Sequence, residues 1–431
     1  MTNEEMIAAL DQAITLTTSV RTALAGAARP IIDVTPGQSV QAVLDSAPAG
    51  ATLRFAPGVY DGALTIGQSV HFIPLNPPAD GPATADCPVW FTSSAPETIN
   101  ILPTADSVDF LGIGVKNSNP QYQLVTVRGS HIMFDRCTLL GDPQHGQHRG
   151  WQTDGKVMTI TQCFADHIWL VGSDSAVIGS WQDCDGLLVD GSYLSGGAET
   201  IMFGGADSPS ADRMPKNIRI VNNELTKPSG CFALGAQIKN AFEAKCVQNL
   251  YLGNNTLRYA GKADGQGAYS IVLTVRNQDG TAPWSTIEHV LIENNVCYWA
   301  AGGVSFLGKD DRNASGQMDD VVVRNCRFTQ FDGNWGDARA VFFNQGVRNV
   351  TLEALTFENC ANMSALGYFL NAPNQPTGLV MRNWKYITCP TTYGWMVDGG
   401  AAVQPPADTN LAALMPDLVY DITANDPGAT V

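Results

Sequence analysis

The stretches "IVNNELTK" (220–227), "YLGNNTLR" (251–258) and "LIENNVCY" (291–298) write one phrase three times: apolar residues in alternation, then paired asparagines. Extended both ways, the phrase aligns Ile218, Ile220 and Asn223 with Leu250, Leu252 and Asn255, and with Val290, Ile292 and Asn295. Copies continue at Val321, Val323 and Cys326, at Val350, Leu352 and Leu355, and at Leu379, Met381 and Trp384. Upstream, Ile132, Phe134 and Cys137, and Leu187, Val189 and Ser192, fit the same frame. From Ser192 onward the last positions lie 31, 32, 40, 31, 29 and 29 residues apart. A fixed period with variable inserts marks an array in which each repeat buries its apolar face against the next.

Each repeat holds a second apolar strand: "ETIMFGG" (199–205), "NAFEAK" (240–245), "YSIVLTVRN" (269–277), "GGVSFLG" (302–308), "RAVFFNQG" (339–346) and "YGWMVDGG" (393–400). Both strands alternate with period two, and no long amphipathic helix separates them, which excludes helix-containing repeats and leaves a coil of short strands and turns. That is an all-β parallel solenoid. Equal positions of successive coils then sit ~4.8 Å apart, so Asn223, Asn255 and Asn295 are expected to point inward as a ladder, capped by Ser192 and Cys326. A buried asparagine is tolerated only with both ends of its amide bonded.

With 44% hydrophobic and 15% charged residues, the 431-residue chain can bury a large core, and its 42 glycines and 24 prolines supply turns at short intervals. A net charge of −16 speaks against nucleic acid or an anionic membrane as partner. No run of 18 apolar residues exists, and "MTNEEMIAAL" has Glu4 and Glu5 where a cleaved export signal needs positive charge. Assembly in a cytoplasm is the expectation. The 10 cysteines form no short CxxC pair and read as reduced, buried residues. No cofactor is expected, and His145 and His148 lack the carboxylates of a metal site.

The coils resemble the right-handed parallel β-helix of the pectin-lyase-like superfamily. "TPGQSVQAVLDSAPAGATLRFAPGVYDG" (35–62) is similar to its usual first turn, a short helix (Gln38 to Ser46) followed by a strand and "PGVY". Residues 239–295 are similar to bacterial β-helix repeat proteins without an assigned activity. The resemblance implies a single-stranded right-handed β-helix over 31–400. A C-terminal tail or cap follows at 401–431, and residues 1–30 read as an N-terminal helix with a capping box, Thr2 and Glu5. Its apolar stripe, Met6, Leu10, Ala13, Val20 and Leu24, serves either as a cap over the open coil or as an oligomerisation helix. A β-helix behind an attachment helix resembles bacteriophage tailspikes, and implies a homotrimer in a virion.

Alternation places Glu243, Lys245 and Arg276 outward on adjacent rungs, with Asp264 in the preceding loop. They are the candidate catalytic residues for an acidic glycan, the plainer alternative being cross-strand ion pairs. Two loops, 141–156 and 331–339, carry Trp151 with Asp154, and Trp335 with Asp332 and Asp337. Aromatic faces beside carboxylates suit sugar rings, and equally suit the packing of their own loop. Three functions follow: a virion spike that binds a host surface polysaccharide, with or without cleaving it; a structural or decoration protein of the virion; and a cellular polysaccharide lyase or glycoside hydrolase.

Overall fold

The structure, a computed structural model, describes residues 29–261, 268–331, 339–360, 365–370, 376–387, 395–397 and 419–421. The N-terminal helix expected before residue 29 lies outside them, as do Asp264, Asp332, Trp335 and Asp337. The strands fall into three all-parallel sheets of 14, 12 and 12 strands, whose neighbours, after the first pair of the largest sheet, are three apart in chain order. One coil therefore visits all three sheets before the next begins, and the fold is a parallel β-helix. The short helix Val40–Ser46 starts at Ser39, whose hydroxyl takes the Ala42 N–H at 3.3 Å.

The sequence pattern leads us to expect two strands per repeat, and the structure has three. The difference lies inside the repeated phrase. After Lys216–Val221, Val247–Gly253 and Ile287–Glu293 of the first sheet, the chain bends at one residue and re-enters a strand at Glu224–Thr226, Thr256–Arg258 and Val296–Tyr298 of the second. The bend residues Asn222, Asn254, Asn294 and Asn325 have φ of 58°, 56°, 56° and 52°. Asparagine is among the few side chains that visit this left-handed region readily. The first asparagine of each pair makes the bend and the second points inward.

Two compact units are distinguished. The first runs to Gly197, with Lys216–Asn223 and Pro228–Ala236; the second comprises Ala198–Pro215, Glu224–Lys227 and the chain from Gln237. In the first unit Phe55, Phe72, Phe110 and Phe134 stack along the core with centroids 6.0, 4.5 and 4.9 Å apart. Beside them runs a polar relay. Cys137 N–H donates to Cys163 Sγ (3.4 Å), Cys163 N–H to Ser192 Oγ (3.0 Å), and Ser192 N–H to Asn223 Oδ1 (2.9 Å). Coils with Val108, Phe110 and Ile113, and with Met158, Ile160 and Cys163, belong to the same frame and escape a search keyed on asparagine.

The second unit has a relay of its own, built from amides. Asn295 Oδ1 accepts from Asn255 N (2.9 Å) and Nδ2 (3.0 Å), while Asn295 Nδ2 donates to Leu252 O (2.8 Å) and Glu293 O (3.1 Å). Asn223, Asn255 and Asn295 are all buried, as the inward ladder requires. The cysteines of the described residues are all free and nearly all buried. Burial pushes the thiols of Cys87 and Cys246 up to about 11 and that of Cys326 up to about 12, so they act as small apolar residues.

Candidate functional site

In the second unit the strands Glu199–Phe203, Phe242–Ala244, Ile271–Thr274, Gly302–Leu307 and Arg339–Asn344 lie side by side in the third sheet. Their inward residues, such as Phe203, Phe242, Leu273, Phe306 and Phe343, are buried in the core. The register then fixes the outward column: Met202 pairs with Glu243, Glu243 with Val272, Val272 with Ser305 and Ser305 with Phe342. Four spacings of ~4.8 Å make this column about 19 Å long.

The column is charged at one end and aromatic at the other. Glu243, only 6% exposed, accepts from Asn240 Nδ2 at 2.9 Å and has Lys245 Nζ 3.5 Å from its Oε1. A second buried carboxylate, Glu199, has Lys239 Nζ 3.8 Å from its Oε1. Lys227 Nζ donates to Ala198 O (3.0 Å) and Asn240 O (2.7 Å), stapling the two rungs together. Asn240 Oδ1 in turn accepts the Tyr269 N–H at 3.3 Å.

Tyr269 begins the aromatic end. Its ring lies over Gly302, where a Cβ would come within 2.6 Å of Tyr Cδ1, and it stacks on Phe342 at 6.2 Å. The Arg339 guanidinium sits 5.6 Å from the Phe342 ring centre. Phe342 and Arg339 are half-buried, so ring and guanidinium both reach the surface.

Of the residues singled out from sequence, Glu243 and Lys245 are brought together. Arg276 is on the adjacent rung, its N–H donating to Lys245 O at 3.0 Å, but its guanidinium turns away to Asp310 (2.9 Å) and Asp311 (2.5 Å). Burial works to raise the Asp310 carboxyl; the N–H groups of Arg312, Asn277 and Asn313, and Arg276, outweigh it and hold it below the usual carboxylate range. The insertion that lengthens this period is tied down in its second half, since Asp207 Oδ2 accepts from Asp279 N, Thr281 N and Thr281 Oγ1.

Trp151 requires a correction. It is not on a loop but in the strand Arg149–Thr153, fully buried and edge-on to Phe134 at 5.9 Å, so it offers no face to a sugar. Asp154 follows it and accepts from Gln152 Nε2 (3.0 Å), Ser180 Oγ (3.2 Å) and Trp181 N (3.2 Å). Desolvation, only partly offset by these donors, raises its pKa. A carboxyl raised on folding destabilises the fold at any pH above its folded value, and that penalty fades as pH falls through it. Asp154→Asn should therefore raise the melting temperature at pH 7, with the gain shrinking on acidification. Gln152 Oε1, buried without a hydrogen-bond partner, could accept the new amide. A melting temperature that falls equally at pH 7 and pH 4 would overturn this reading.

His145 Nδ1 lies 3.1 Å from Asp142, and His148 Nε2 lies 3.1 Å from Asp174 O. Among the described residues no three His, Cys, Asp or Glu side chains are grouped as metal ligands.

Three inward-facing parallel sheets, the left-handed bend and the ladder behind it define a parallel β-helix. No family model matches the chain, and no curated protein matches it. Among solved structures it is similar to the Dettilon tailspike protein, at 12% identity over 85% of this chain and 68% of that one, with a TM-score of 0.49. It is also similar to an alginate lyase in complex with a trisaccharide (10%, 92% and 90%, TM-score 0.49). A pectin methylesterase from Aspergillus niger matches at 12%, over 60% and 89%, with a TM-score of 0.41.

Proposed function

We propose that the chain is a glycan-binding β-helix, and that a strand of acidic polysaccharide crosses the surface end of the outward column, at Ser305 and Phe342 of the third sheet in the second unit. The observation that carries this is the half-buried Phe342 under the Arg339 guanidinium, braced by Tyr269. An aromatic face takes the apolar side of a pyranose ring, and a guanidinium beside it takes a carboxylate. The net charge of −16 would otherwise repel a polyanion, so local cations are needed to bind one.

The finer reading is a tailspike-like spike on a bacteriophage virion, binding host surface polysaccharide as a homotrimer, with other virion proteins as partners. Light scattering on the intact protein tests the trimer, and a monomeric mass sinks it.

Glycan binding is tested by calorimetry with acidic oligosaccharides. Phe342→Ala and Arg339→Ala should each weaken binding about tenfold, near 1.4 kcal/mol, and shift the melting temperature little, because both side chains are half-buried. Unchanged affinity in both variants would remove the third sheet as the binding face.

A further inference from the structure

The second sheet of the same unit carries an aromatic group that the proposed glycan column does not use. Tyr259 and Trp299 occupy equal positions on successive coils and stack at 5.1 Å with planes 7° apart. Tyr298 joins them 5.7 Å from Trp299. The Arg258 guanidinium lies 5.1 Å from the Tyr298 ring centre and 5.8 Å from that of Trp299, with its Nε 3.0 Å from Glu224 Oε1. Trp299 is 37% exposed.

The backbone makes this arrangement unusual. Tyr259 and Trp299 have φ of 63° and 50°, in the left-handed region that bulky side chains avoid. Equal positions on the following coils bend the same way with polar residues, Gln330 at φ 60° and Asn359 at φ 52°. The bend therefore does not demand an aromatic residue, and a side chain this exposed is not placed there to fill the core. The bend recurs whatever residue stands there, so what singles out these two coils is the pair of stacked rings, of which Trp299 is 37% exposed.

We infer that Trp299, Tyr259 and Tyr298 form a second sugar platform, binding one pyranose ring of a glycan strand, with Arg258 and Glu224 taking its hydroxyl or carboxylate groups. This rests on the glycan-binding reading and adds a site on a different sheet. A second copy of the chain fits less well. A stable interface needs roughly 800 Å² per partner, whereas this aromatic island ends one rung on at Arg327, which is paired with Glu358.

The test titrates galacturonate hexamers and cellohexaose into the full chain and into Phe342→Ala, with and without changes at Trp299. In the Phe342→Ala background, Trp299→Ala and Trp299→Asn should weaken the remaining binding tenfold or more, and Trp299→Phe should restore most of it. Asparagine suits the bend, so Trp299→Asn separates loss of the ring from loss of the fold. Remaining binding that ignores all three changes overturns the platform while leaving the Phe342 face in place. The reverse, binding lost at Trp299 and indifferent to Phe342, keeps the platform and removes the face. No binding of either hexamer by the unaltered chain overturns both, and a change of mass in light scattering on Trp299→Ala reassigns the patch to contact between copies.

Discussion

Asn295→Ala is expected to cost about 4 kcal/mol of stability. The side chain is fully buried and its amide works in both directions. Removing it takes the Oδ1 acceptor from Asn255 N and from Asn255 Nδ2, the latter keeping Gly253 O, and leaves Leu252 O without the bond from its nitrogen. A buried polar group without a partner costs about 1–3 kcal/mol, so two or three together exceed any ordinary surface change. The neighbour gives the control. Asn294 makes the bend at φ 56°, so Asn294→Gly should be nearly neutral and Asn294→Ala should cost about 1 kcal/mol. Urea unfolding of the three variants decides the matter, and a loss at Asn295→Ala no larger than at Asn294→Ala would end the ladder account.

That asymmetry explains what was legible in the sequence. The inward asparagine shows in the text because its amide both accepts a backbone N–H of the preceding coil and donates to a carbonyl of that same coil, and the residue type recurs. At the same position of upstream coils a thiol or a hydroxyl takes the place of the amide, Cys163 Sγ accepting from Cys137 N and donating to Phe134 O, and Ser192 Oγ accepting from Cys163 N and donating to Asp190 O. Coils centred on Ile113 and Cys163 are missed although those centred on Cys137 and Ser192 show in the same frame without an asparagine. The third strand is missed for a physical reason. A turn of one residue leaves no gap in the text, so "NNEL" reads as a strand end when it is a corner.

The site was legible only in its parity. Alternation correctly sends Phe242, Leu273 and Phe343 inward, and by the same rule sends Phe342 outward in "RAVFFNQG", a signal available but not used. Two adjacent phenylalanines on a strand put one on the wrong side of an apolar core, and that one is the surface ring. Arg339 and Tyr269 could not be read in this way, since their meeting with Phe342 depends on the space left by Gly302 on the neighbouring strand. Nor could the destination of Arg276, because Asp310 and Asp311 come from the next coil, more than 30 residues along the chain. Trp151 misleads because Gly, His, Gln and Asp around it imitate a loop, while the ring itself fills the core.

Glu243→Ala is expected to lower stability by about 3 kcal/mol and to weaken acidic glycan binding as well, although Glu243 does not reach the surface. Removing one partner of a buried ion pair leaves the other charge uncompensated, a loss of about 3–5 kcal/mol when both are fully buried; the Lys245 side chain is 17% exposed, which places this case at the lower end. The effect on binding travels through Asn240. Its Nδ2 is held by Glu243 Oε2, and its Oδ1 holds the Tyr269 N–H, so the carboxylate positions the ring on which Phe342 stacks. Glu243→Gln separates this role from catalysis. Glutamine keeps an acceptor for Asn240 and should retain most of the binding, whereas an acid or base at this position would lose depolymerisation with binding intact. Calorimetry with acidic oligosaccharides and a reducing-end assay, both run beside urea unfolding, distinguish the two. If glutamine abolishes glycan cleavage without moving affinity or stability, Glu243 is catalytic and the positioning role falls; if it restores binding lost in the alanine variant, the carboxylate acts through Asn240 and Tyr269.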